Sequence, residues 1–106
     1  MMEHSEIILM IKKMGLPLAY DHFAEGESPD PPFLLMLLPS SDNVSADGGV
    51  YCKNKVLHIE LYTDKKLPDR EDEVEAVLDS YGIFYDKSET WIESESLYEV
   101  LYEMEV

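Results

Sequence analysis

Tyr98-Glu99-Val100-Leu101-Tyr102-Glu103-Met104-Glu105-Val106, the last nine of 106 residues, alternate with a period of two. Tyr98, Val100, Tyr102, Met104 and Val106 share one parity, and Glu99, Glu103 and Glu105 share the other. Successive side chains of a strand point to opposite faces, so this stretch predicts a strand buried on one side and wet on the other. One face of the protein is therefore expected to be anionic, and the sheet that carries it to have a covered and an uncovered side.

The neighbouring segments extend that sheet. Residues 83–91 predict a second strand, and the short link through Glu93, Ser94, Glu95 and Ser96 makes the pair an antiparallel hairpin. Upstream, residues 56–63 alternate again, with Leu57, Ile59 and Leu61 on one face and His58, Glu60 and Tyr62 on the other. The continuously apolar run 33–38 suits a central strand covered on both faces, ended by Pro39, and residues 18–22 a short one. Two helices complete the set. Ile7, Met10, Ile11 and Met14 recur at helical spacing, with Ser5 as an N-cap candidate and Gly15 and Pro17 as the stop. Pro68 opens the second helix, Asp69, Glu71, Asp72 and Glu73 fill its first turn, Val74, Val77, Leu78 and Tyr81 form its buried stripe, and Gly82 followed by Ile83 closes it.

The order is αβββαββ. It predicts an α+β fold: a mixed, largely antiparallel sheet of about five strands with two helices on one face, in a single domain over residues 1–106. Two segments read as exposed, mobile loops: 25–32, with three prolines, and 40–49, rich in Ser, Asp, Asn and Gly.

Composition narrows the function classes. The formal net charge is -15, from 23 acids and 8 Lys and Arg, which argues against gripping a nucleic-acid backbone. Hydrophobic residues at 45% exclude disorder as the reason for that acidity. No apolar run approaches the roughly 20 residues of a membrane span, and no secretory signal is expected. A lone Cys52 forms no internal disulfide, suits a reducing compartment and reads as a small hydrophobe. His4, His22 and His58 lack ligand spacing, so neither metal nor cofactor is expected, and the many carboxylates lack a nucleophile or phosphate loop that would make them catalytic. An enzyme is not expected.

From Asp69 onward the chain holds thirteen acids and two bases, Arg70 and Lys87, while Lys53, Lys55, Lys65 and Lys66 flank the 56–63 strand. Such a bipolar chain can associate head to tail and close into a ring. Equally, those lysines can serve only to blunt exposed strand ends.

The runs Leu16-Pro17-Leu18-Ala19-Tyr20-Asp21-His22-Phe23, Pro32-Phe33-Leu34, Leu38-Pro39 and His58-Ile59-Glu60-Leu61-Tyr62-Thr63-Asp64-Lys65-Lys66, with the 98–106 strand, resemble small prophage proteins of Gram-positive bacteria. The chain is similar to the tail-terminator and head-to-tail joining proteins of long-tailed phages. That resemblance implies a hexameric ring that ends tail-tube growth, with the tail-tube protein, the head connector protein and other copies of itself as partners. It implies assembly in the bacterial host cytoplasm and residence in the virion tail or neck. Lys65 and Lys66 are then candidates for intersubunit pairing with Asp69, Glu71, Asp72 and Glu75 of a neighbour. Glu99, Glu103 and Glu105 are candidates for an acidic channel face that keeps genome DNA from adhering. A head-completion or neck connector protein and an acidic DNA-mimic inhibitor are the alternatives.

Overall fold

The computed structural model describes residues 2–23, 29–46 and 49–106, and the side chains of these apart from residues 40–54. The elements are α1 (His4–Lys12), β1 (Leu18–Tyr20), β2 (Phe33–Ala46), β3 (Gly49–Thr63), α2 (Pro68–Ser80), β4 (Tyr85–Ile92), a short 3-10 turn (Glu93–Glu95) and β5 (Leu97–Glu105). The five strands form one sheet in the order β1-β2-β3-β5-β4. Only the β1–β2 pair is parallel; the other pairs are antiparallel. The predicted α+β class and element order hold.

The alternation at the end of the chain is what makes the sheet one-sided. Register sets Leu34 beside Leu61 and Met36 beside Ile59, and then Leu57, Ile59 and Leu61 beside Met104, Tyr102 and Val100. These side chains form one buried layer, onto which α1 packs Ile7, Met10 and Ile11, the turn after it Met14, and α2 Val74 and Leu78. Each fully buried aliphatic side chain contributes about 1.5–3 kcal/mol of transfer free energy. A slip of one residue in β3 or β5 would turn that layer outward, so the register is strongly specified.

Five local readings change. The cap of the first helix lies two residues before Ser5: Glu3 is its N-cap residue, with no side-chain capping bond. Run 33–38 is covered on one face only and lies one strand from the centre, because β3 occupies the middle. Pro39 does not end β2. Leu37 pairs with His58 and Ser40 with Val56, so Leu38 and Pro39 together face Leu57 in a bulge, where a residue without an N–H is tolerated. Residues 40–46, read as loop, continue β2 and pair with 49–56, since backbone pairing within a hairpin does not require apolar side chains. The strand expected from residue 83 starts at Tyr85. The 25–32 loop lies outside the described residues over 24–28, and so do the side chains of Cys52 and Lys53.

The end of α2 shows why Ile83 and Phe84 are withheld from β4. The Gly82 N–H donates to the Asp79 carbonyl at 3.0 Å and the Ile83 N–H to the Leu78 carbonyl at 3.2 Å, with Gly82 at φ 67. This is the two-bond closure in which a left-handed residue ends a helix and the next side chain folds back; Ile83 packs against the core. Ser96 adopts the same backbone region, φ 52, in the β4–β5 turn, without being glycine. The two sites predict opposite effects. Gly82→Ala, which meets no atom within 4 Å, costs about 1 kcal/mol through backbone strain alone, whereas Ser96→Gly gains ~0.5 kcal/mol; urea denaturation midpoints measure both.

Candidate functional site

Carboxylates occupy both faces of the sheet, and they do different things. On the covered face α2 turns Glu71 inward, where it is 5% exposed. Its two oxygens meet Lys66 Nζ at 2.7 Å and Lys87 Nζ at 2.8 Å. Lys66 also reaches Glu89 at 2.6 Å, and Lys87 reaches Glu75 at 2.9 Å. Glu75 accepts hydrogen bonds from the Tyr102 hydroxyl at 2.9 Å and the Tyr85 hydroxyl at 3.3 Å. The rings of Tyr85 and Tyr102 meet edge to face at 5.5 Å. Helix, hairpin and the segment before the helix are thereby joined by one charged network.

Its electrostatics are mutually supporting. Burial pushes the Glu71 carboxyl up, but hydrogen bonds from Lys66 and Lys87 outweigh it and hold its pKa below the ordinary value. Glu75 is likewise lowered, its burial offset by Lys87 and the two tyrosine hydroxyls. The hydrogen bonds that Lys66 donates to Glu71 and Glu89 raise its pKa, and carboxylate contacts raise Lys87 against its burial. Burial, followed by Glu75, raises Tyr102. All four charged groups are thus held in their ionised forms near neutrality.

The uncovered face follows directly from the register. Three cross-strand rows run from β2 through β3 and β5 to β4: Phe33, Tyr62, Glu99 and Thr90; then Leu35, Glu60, Leu101 and Ser88; then Leu37, His58, Glu103 and Asp86; a fourth, shorter row at the far end holds Val56 and Glu105. Apolar side chains dominate the β2 side and carboxylates the β5 side. Phe33 is sandwiched between Phe23, edge to face at 5.4 Å, and the stacked ring of Tyr62 at 5.2 Å. The Tyr62 hydroxyl donates to Glu60 at 3.0 Å, and His58 Nε2 lies 3.3 Å from Glu103. Burial and the neighbouring Glu60 carboxylate raise the Glu99 pKa, while burial and Glu60 also raise Tyr62.

The residues singled out from the sequence separate accordingly. Glu99, Glu103 and Glu105 lie together on the uncovered face, Glu99 partly buried and the other two exposed. Lys66, Glu71 and Glu75 come together on the covered face, within one chain. Lys65, Asp69 and Asp72 stay exposed. Lys87, Glu60 and His58 were not among the predicted site residues. Parity along 56–63 placed Glu60 and His58 on the polar face, but their partners depend on the β3–β5 register. Among the described residues, no group of three or more His, Cys, Asp or Glu side chains is arranged to hold a metal ion. Nor, among them, is any helix long and apolar enough to cross a membrane.

Glu71→Gln, which removes the charge facing two lysines, is expected to cost about 1–3 kcal/mol at pH 7 in urea denaturation, less than for a fully buried pair because both lysines are partly exposed. Glu71 has a lowered folded pKa, so its contribution is present above the ordinary carboxylate range and is lost as pH falls through the folded value. The gap between wild type and variant should therefore shrink as pH falls below the ordinary carboxylate range. Glu99 carries the opposite sign. Its folded pKa is raised, so ionisation opposes folding, and Glu99→Gln should raise the denaturation midpoint at pH 7. That gain should vanish below pH ~4, where Glu99 is protonated in both states.

A scan against protein-family models and a search of curated proteins find no match for this chain.

Proposed function

We propose that the protein is a non-enzymatic virion assembly subunit, a tail terminator that forms a ring on the end of the tail tube and offers a surface to the head connector. The observation that supports this reading most is the β2–β3 ribbon. The β3–β5 ladder ends at Lys55, whose N–H and carbonyl pair with Val106 at 3.1 and 2.9 Å. Among the described residues, 40–46 and 49–54 continue beyond that point as a two-stranded arm. An isolated two-stranded ribbon is marginal in water and gains stability when a neighbour packs on it. An arm of this kind suits a subunit that reaches an adjacent copy or the tube.

The charge distribution agrees with the same reading. A subunit with net charge -15 repels a passing duplex, since DNA adhesion requires cations to replace its counterions. Of the proposed subunit contacts, Lys65, Asp69 and Asp72 have the exposure to meet a neighbour, whereas Lys66, Glu71 and Glu75 already have partners in their own chain.

Electron microscopy of a phage lacking this protein tests the assignment. Over-long, headless tails are the expected result, and purified protein should cap isolated tail tubes. Normal tails beside unjoined heads would move the protein to the neck and overturn the terminator reading.

A further inference from the structure

The sheet has two faces of similar extent and only one is covered. Helices α1 and α2 bury Leu34, Met36, Leu57, Ile59, Leu61, Val100 and Tyr102 on the closed side. On the other side Leu35, Leu37, Leu101 and Val56 are only half-buried, in the midst of Glu60, Glu99, Glu103, Asp86 and Glu105. Phe84, next to the last row, is 82% exposed and borders a hollow of about 520 Å³ with Val56, Asp86, Glu103 and Glu105.

We propose that this open face is a docking surface for one amphipathic helix of a partner protein, with lysine or arginine residues flanking its apolar stripe. Three observations converge on that occupant. The first is charge. Among the described residues, the only basic side chain in the four rows is His58, set against five carboxylates. The same face of a second copy would set these carboxylates against one another, whereas a cationic segment is attracted both at long range and by the local rows. The second is pattern. Leu35 and Leu37 form a half-buried apolar line along β2, headed by Phe33 under the ring of Phe23, and beyond Glu60 and His58 of β3 the carboxylates Glu99 and Glu103 run parallel to it along β5 on either side of Leu101. A helix lying on this face would place its apolar stripe on the line and its basic flank on the row. The third is size. Strands about 4.8 Å apart and same-face residues about 6.8 Å apart make a patch roughly 15–20 Å on a side, which matches one helix of about 12 residues and is too small for a standard interface between two folded domains.

The arrangement around Glu99 gives the occupant a specific gain. Glu60 and Glu99 crowd each other, and Glu60 already accepts the Tyr62 hydroxyl at 3.0 Å. A cationic side chain set beside them would relieve their repulsion and favour ionisation of Glu99. The proposal does not depend on whether the protein ends a tail, and its test does not involve tails.

The probe is a 14-residue peptide of leucine and lysine in helical amphipathic order, labelled for fluorescence anisotropy, against a scrambled peptide of equal composition. The ordered peptide should bind the protein at least tenfold more tightly than the scrambled one, and amide shifts should move at Leu35, Leu101 and Glu103 in two-dimensional NMR. Glu99→Lys with Glu103→Lys should weaken binding at least tenfold, while Asp72→Lys with Asp79→Lys on the outer side of α2, an equal change of charge, should change it less than threefold. Leu101→Thr, a strand-compatible substitution without charge change, should weaken binding at least threefold, and circular dichroism would identify any variant that fails to fold. Equal binding of the two peptides, or equal losses in the two double variants, would mean nonspecific attraction and overturn the proposal. So would self-association of the wild type that Leu101→Thr abolishes, because the occupant would then be a second copy.

Discussion

The buried Glu71 carboxylate is the contact on which the covered side of this protein is organised. Helix α2 brings few apolar side chains to the interface; Val74 and Leu78 are its fully buried ones. Burial of two aliphatic side chains fixes a helix against a sheet but leaves its rotation and position along the strands loosely specified. Glu71 removes that freedom, because a buried carboxylate is tolerated only where its hydrogen bonds are supplied, and Lys66 and Lys87 supply them. Glu75, one turn further on, repeats the constraint through Lys87, Tyr85 and Tyr102. Four contacts to the β4–β5 hairpin thus fix where the helix sits along the strands.

This arrangement also distributes the excess negative charge. A chain of net charge -15 must place its carboxylates where they do not destabilise one another. Two of the eight Lys and Arg residues, Lys66 and Lys87, serve Glu71, Glu75 and Glu89 on the covered side. The open face is left with His58 facing Glu103 and with carboxylates crowded enough to raise the pKa of Glu99. Among the described residues, the covered side thus sets lysines against its buried carboxylates, while the uncovered face sets Glu60 and Glu99 against each other.

Several elements were legible in the residues before any fold was known. Period-two alternation at 56–63 and 98–106 and helical spacing at Ile7, Met10 and Ile11 identify elements through local geometry alone. The Gly82-Ile83 closure of α2 is equally local, since it depends on one left-handed residue and the side chain after it. The extension of β2 past Pro39 was not legible. Composition predicts whether a segment has apolar area to bury, but a hairpin forms through main-chain bonds that Ser, Asp and Asn can make as well as Val, and a bulge accommodates the proline that would otherwise end the strand.

By itself, then, the amino-acid order determined the α+β class, the one-sided character of the sheet and the anionic C-terminal third, because periodicity and charge are properties of neighbours along the chain. Tertiary structure decided which carboxylates meet lysines and which meet each other. Lys66, Lys87, Glu71 and Glu89 come from three separate segments, and Glu60 meets Glu99 only because β3 and β5 pair in one register. Those encounters depend on strand order and helix placement, and no spacing within a segment encodes them. The alternating carboxylates of the last strand are therefore a sequence property, while their role as one edge of a half-apolar, uncovered face is a property of the sheet.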